Sequence, residues 1–159
     1  MEEIVFLNGR FLQQSQARLP VVTPGLLYGW GLFETMRWHN NKIVYFDAHL
    51  KRIRDSSKLI CISFPYSLAG FKRGIDETAK INGFSDARLR LALFKKSEKE
   101  ADILVFAKKY NPFSPARYKH GFSCLVSSLR QNGNSFLANL KTTNYLLFQL
   151  AYCRRKKRI

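Results

Sequence analysis

Residues 32–46 read LFETMRWHNNKIVYF, two alternating runs on either side of His39-Asn40-Asn41-Lys42. Alternation at period two marks a strand with one buried face, and consecutive asparagines tolerate the positive φ that a tight hairpin requires. The stretch predicts two antiparallel strands joined by a short turn. Beyond it the period changes. With Asp47 as N-cap and Ala48 as first residue, Leu50, Ile53, Ser57 and Ile60 recur every three or four positions, which predicts a helix with one buried stripe. His49, Arg52 and Ser56 fall on a different face of the same helix. A hairpin running directly into a helix belongs to an α+β arrangement, not to a doubly wound parallel sheet.

The flanking sequence extends this pattern. EIVFLNGRFL (3–12) pivots on Asn8-Gly9, and ARLRLALFK (87–95) with DILVFAKKY (102–110) flanks the polar KSEKEA, so two more hairpins are expected. A second amphipathic helix is predicted over Ser67–Asn82, with Leu68, Phe71, Ile75 and Ala79 spaced for burial and Gly83 as C-cap. PGLLYGWGLFET (24–35) places Gly25, Gly29 and Gly31 where the backbone can turn tightly or approach a ligand. The Pro-containing NPFSPARYKHG (111–121) reads as a linker, which divides the chain into an α+β domain over 1–110 and the start of a second domain over 122–159. GFSCLVSSL (121–129) is expected to open that second part as a strand.

Composition narrows the function classes. With 159 residues, 46% hydrophobic, the chain is long enough to bury a core. The acidic MEEIVFLNGRF start is unlike a signal peptide, and YLLFQLAYC is about half the length of a membrane span, so a cytoplasmic protein with no membrane partner is expected. Cys61, Cys124 and Cys153 form no C-x-x-C pair and have no histidine at zinc spacing; they are expected as reduced thiols, mostly in apolar surroundings, with no metal site. The net charge of +16 attracts anions, but its densest run is the tail Arg154–Arg158, and no nucleic-acid-binding motif accompanies it. Nucleic acid is therefore discounted as the main partner.

The chemistry-bearing segments are FLNGRF (6–11), YGWGLFETMR (28–37), FDAHLKRIRDSS (46–57), ARLRLALF (87–94) and NLKTTNYLL (139–147). In this order they resemble the class IV (fold-type IV) pyridoxal-phosphate enzymes, which include branched-chain aminotransferases, D-amino-acid aminotransferases and aminodeoxychorismate lyases. The resemblance implies pyridoxal 5'-phosphate as cofactor, a homodimer, and amino acids and 2-oxo acids as substrates. It implies that Lys141 is the Schiff-base lysine and proton carrier, that Arg52 holds the cofactor phosphate, and that Tyr145 hydrogen-bonds the cofactor's phenolic oxygen. A planar, permanently charged fork suits a phosphate better than a lysine does. Tyr28, Phe33 and Arg90 fall where the family lines its substrate pocket; Arg88 shares a strand face with Arg90 and is the other candidate for a substrate carboxylate. Glu34 belongs to the family pattern in a role that serves the fold, and His49 belongs to it as a helix-surface or capping histidine.

Family members continue well beyond the lysine, and that portion supplies the acidic partner of the pyridine nitrogen. The basic CRRKKRI end is therefore expected to mark a C-terminal truncation, whether a shifted frame, an early stop or a fragment, with apolar surface exposed around Phe136, Leu140, Leu146, Leu147 and Phe148. The resulting expectation is an aminotransferase of the branched-chain type with weakened activity. Aminodeoxychorismate lyase is the near alternative, and a non-catalytic remnant or basic interaction module the distant one.

Overall fold

A computed structural model describes residues 2–64 and 67–156. Six strands form one antiparallel sheet: β1 (Ile4–Leu7), β2 (Arg10–Gln13), β3 (Gly31–His39), β4 (Lys42–Ile43), β5 (Asp86–Lys95) and β6 (Ala101–Lys109). Their spatial order is β2-β1-β6-β5-β3-β4. Each of the three expected hairpins is present. Asn8 and Gly9 turn with φ of 49° and 89°, and Asn40 and Asn41 with φ of 48° and 56°, the left-handed conformations that short polar residues and glycine adopt most readily.

The long centre of the sheet pairs β3 with β5 from Gly31↔Phe94 to His39↔Asp86, and β5 with β6 from Ala87↔Lys109 to Lys95↔Ala101. Two helices, α2 (Phe46–Leu59) and α3 (Leu68–Ile81), cover one face; a short α1 (Pro24–Leu27) precedes β3. Leu50 and Ile53 of α2, with Phe71, Ile75 and Ala79 of α3, pack on Leu32, Met36, Trp38, Leu89, Leu91, Leu93, Ile103 and Val105 of the sheet. Alternation along the strands and the three-to-four spacing along the helices thus converge on a single core. Trp38, completely buried, satisfies its indole N–H by donating to the Phe84 carbonyl at 3.0 Å.

Three local expectations are corrected. Helix α2 starts at Phe46, with Tyr45 as N-cap in the left-handed region (φ 53°), so Asp47 lies in the first turn, where its charge complements the helix dipole. The strand expected over 121–129 does not form; among the described residues no strand edge pairs with this segment, and Val126 stands 85% exposed. The three cysteines are exposed instead of lodged in apolar surroundings. Helix α3 keeps its predicted boundaries to within a residue, with the Ser67 hydroxyl accepting from the Gly70 amide and Gly83 at φ 68°.

After β6 the chain leaves the sheet. Helix α4 (Pro115–His120) lies within the expected linker, a single 3-10 turn spans Phe136–Asn139, and α5 (Leu146–Lys156) follows. Phe136, Leu146 and Phe148 are exposed, while Leu140 and Leu147 are half-buried. Among the described residues, no helix is long and apolar enough to cross a membrane. The Leu68 side chain, expected on the buried stripe of α3, lies outside the described residues, as do the side chains of Arg155 and Lys156 and the rest of the basic tail.

Candidate active site

The site begins at the free edge of β3. Residues 141–143 run beside it as a short extra strand: Leu32 pairs with Thr142, the Phe33 amide donates to the Lys141 carbonyl at 2.9 Å, and the Thr143 amide to the Gly31 carbonyl at 2.9 Å. The Thr143 hydroxyl donates to the Gly29 carbonyl at 2.9 Å. Close approach here requires glycine. A Cβ on Gly31 would lie 2.7 Å from the Leu93 carbonyl oxygen and 2.8 Å from Thr143 Oγ1, and Gly29 turns with φ +63° against Asn144.

Docking of this segment brings Lys141 over the outer, helix-free face of the sheet. Its Nζ lies 4.6 Å from the centroid of the Phe33 ring, and the Arg90 guanidinium 3.7 Å from the same centroid. Tyr145 meets Phe33 edge-on at 5.4 Å. Phe33 is therefore the hub that gathers Lys141, Arg90 and Tyr145, the aromatic quadrupole offsetting part of the cost of placing two cations together. Burial pushes the Arg90 guanidinium below its ordinary value; Tyr145 opposes that shift and Arg88 adds to it.

Arg52 approaches from the helix side. Glu34, one of the alternating β3 residues that face the helices, is a carboxylate among Leu32, Met36 and Trp38, and is only 1% exposed. It accepts from Arg52 Nε at 2.6 Å and Nη2 at 2.5 Å, and His49 Nδ1 lies 2.8 Å from its Oε2. This bidentate contact raises the Arg52 guanidinium above its ordinary value. It also leaves Nη1 as the nitrogen available to a ligand. The sequence reading gives Glu34 to the fold and His49 to the helix surface or a cap; the structure instead turns His49 onto the buried Glu34, a grouping that a lone carboxylate at an inward position of an otherwise apolar strand signals.

Arg52 and Lys141 line the same cavity, of about 380 Å³, with Asn139, Thr142, Asn144 and Tyr145. Its charged lining residues are both cationic, and the remainder offers amide and hydroxyl groups beside the apolar Leu140, Leu147 and Phe148. An amine, a guanidinium fork and polar donors on an apolar wall suit a flat aromatic ring bearing an aldehyde and a phosphate. Tyr28 stands apart. It is 72% exposed and lines a neighbouring cavity of about 420 Å³ with Trp30, Ile60, Cys61, Thr142 and Asn144. Among the described residues no cluster of His, Cys, Asp or Glu could hold a metal ion.

The structure is thus an antiparallel sheet covered on one face by two helices, with the segment at 141–143 docked beside a glycine turn. The chain belongs to the class IV amino-transferase family, whose model matches residues 31–158. This family uses pyridoxal phosphate. An aminodeoxychorismate lyase of Bacillus subtilis is 27% identical over 154 residues, covering 90% of this chain and 52% of the lyase. A Methanocaldococcus jannaschii protein provisionally named a branched-chain-amino-acid aminotransferase is 34% identical over 89 residues, covering 56% of this chain and 31% of the relative. The branched-chain aminotransferase structure of Thermoproteus uzoniensis, determined with norvaline, shares the fold, with a TM-score of 0.85 at 24% identity, over 99% of this chain and 57% of its own. The chain thus spans about half or less of the length of the curated relatives it matches.

Proposed function

We propose that this chain carries the lysine and phosphate-anchor part of a pyridoxal-phosphate site for transamination between amino acids and 2-oxo acids, branched-chain amino acids being the leading substrate class. One observation carries the reading: Lys141 and Arg52, far apart in sequence, line one cavity whose charges are both positive. When bound, pyridoxal phosphate supplies an electrophilic aldehyde and a ring that withdraws electrons from the substrate Cα. Arg52, its Nε and Nη2 held by Glu34, would offer Nη1 and a permanent positive charge to the phosphate. Lys141 Nζ would be the amine that holds the aldehyde and the base that carries the proton at the substrate Cα. Tyr145, packed on Phe33, offers its hydroxyl to the ring oxygen, and Arg90 attracts the substrate carboxylate. Residues 1–110 form the framework of this arrangement, 111–121 the connection, and 122–159 the beginning of a cofactor-holding unit.

Aminodeoxychorismate lyase chemistry is a second reading, favoured by the extent of the Bacillus subtilis match along this chain. Both readings use Lys141 and Arg52 alike and differ in the bond broken after proton removal.

Borohydride reduction in the presence of pyridoxal phosphate, followed by peptide mapping, tests the shared core. The expected result is a label concentrated on Lys141, absent in Lys141→Ala and weakened in Arg52→Ala. A label scattered over many lysines overturns it. Turnover of amino-acid and 2-oxo-acid pairs against turnover of aminodeoxychorismate separates the two chemistries.

A further inference from the structure

Helix α2 carries Arg52, and the segment at 141–143 carries Lys141, yet the two do not pack solidly at the end of the helix. The 420 Å³ cavity lies between them, with Leu59, Ile60 and Cys61 on one side and Thr142 and Asn144 on the other. Packing alone leaves their relative position underdetermined there, because a void has no atoms to transmit contact. Trp30 bridges the gap. The Trp30 indole N–H donates to the Ile60 carbonyl at 2.7 Å, just past the last turn of α2, while the carbonyls on either side of Trp30, those of Gly29 and Gly31, hold the Thr143 hydroxyl and amide.

Lys95 clamps this joint. Only 9% exposed, it donates through Nζ to the Cys61 carbonyl at 2.8 Å and lies 4.2 Å from the centroid of the Trp30 ring, and its backbone amide donates to the Trp30 carbonyl at 2.9 Å. A cation at the C-terminal end of α2 is also favoured by the helix dipole. Its ammonium is thus held by a carbonyl and a ring next to a site where a free lysine amine would compete for an aldehyde.

We propose that Trp30, clamped by Lys95, is a positioning residue that holds the helix of Arg52 and the segment of Lys141 in register, so that one ligand meets both at once. The inference rests on the reading of that pair as phosphate anchor and covalent lysine. Two anchors help each other only when their spacing matches the ligand, and small misplacements forfeit much of the gain.

The test compares pyridoxal phosphate with 5'-deoxypyridoxal, which lacks the phosphate and has no 5'-hydroxyl to close onto its aldehyde. The concentrations of 5'-deoxypyridoxal and of pyridoxal phosphate that half-label Lys141, trapped with borohydride, give a ratio reporting how far the phosphate assists the aldehyde. In the parent this ratio is well above one, and Arg52→Gln brings it close to one. Trp30→Phe keeps the ring and removes the N–H, and is expected to lower the ratio about fivefold. Lys95→Met lowers it in the same direction and supplies the reading if Trp30→Phe does not fold. Ile75→Ala, in the core and away from both anchors, lowers the melting temperature and leaves the ratio unchanged, which separates positioning from general destabilisation. A high parental ratio that neither Trp30→Phe nor Lys95→Met changes overturns this inference alone. A parental ratio near one overturns the anchor reading and the inference with it.

Discussion

Glu34 sits beneath Arg52 as a buried carboxylate beneath a half-exposed fork: the acid is 1% exposed and the arginine side chain 53%, joined by contacts of 2.6 and 2.5 Å. The asymmetry predicts unequal costs for cutting the pair from either side. Arg52→Ala strands a charge in the core beside His49, at a cost of about 2–3 kcal/mol after allowance for the solvent that reaches the arginine. Glu34→Gln leaves Arg52 free to reach water and keeps one acceptor, so it costs about 1 kcal/mol. Urea denaturation of the two variants checks the order. Equal costs would mean that Glu34 finds other partners.

The glycines beside the lysine segment make a second contrast. An alanine at Gly31 meets the Leu93 carbonyl oxygen at 2.7 Å, a backbone atom that cannot swing away, so Gly31→Ala is expected to displace residues 141–143 and disperse the borohydride label from Lys141. Gly83, by contrast, is left-handed, with φ +68°, and has nothing within 4 Å of its Cβ position. Gly83→Ala therefore costs about 1 kcal/mol from backbone strain and leaves the labelling pattern intact. Peptide mapping of both variants distinguishes a docking glycine from a capping one.

These two glycines also mark how far the sequence could be read. Asn8-Gly9, Asn40-Asn41 and the Leu50/Ile53 and Phe71/Ile75/Ala79 stripes announced the hairpins and helices, because turn chemistry and burial period are local properties. That Arg52 and Lys141 belong together came from the order of motifs, and their shared cavity bears on it. What stayed illegible was relational. Glu34 under Arg52, Phe33 beneath Lys141 and Arg90, and Trp30 between Ile60 and the glycine carbonyls depend on register between distant segments, which no window of sequence contains. GFSCLVSSL failed as a strand for the same reason: its composition suits a sheet, but a strand exists only beside another edge.

The boundary between the sheet core and the segment beyond it predicts where truncations of side chains will be felt. Ile75 is completely buried between α3 and the sheet, and Ile75→Ala is expected to cost about 2–5 kcal/mol. Val126 stands in the extended segment after α4, and Val126→Ala is expected to stay within about 0.5 kcal/mol of the parent. Denaturant titration checks both. A large loss at Val126 would show that this segment is covered in solution, and would locate an interface on it.

Asp86 supplies a pH signature at the opposite end of β5 from Lys95. Its carboxylate accepts from Arg37 Nε at 3.0 Å and Nη2 at 2.6 Å and lies 3.2 Å from His39 Nδ1; the Arg37 contact, foremost, holds it below the usual carboxylate range. A group whose value is lowered by folding binds its proton more readily in the unfolded chain, so its contribution is complete above the unfolded value, near 3.9, and fades as pH falls through the lowered folded value. Asp86→Asn should therefore melt below the parent at neutral pH, and the two curves should converge in acid beneath that range. Because Arg37 is exposed, the neutral-pH gap is small and shrinks further in high salt. Melting temperatures measured from neutral pH down into strong acid decide it: a gap that persists at the acid end would assign the effect to packing at the end of the β3–β5 ladder, not to the charge.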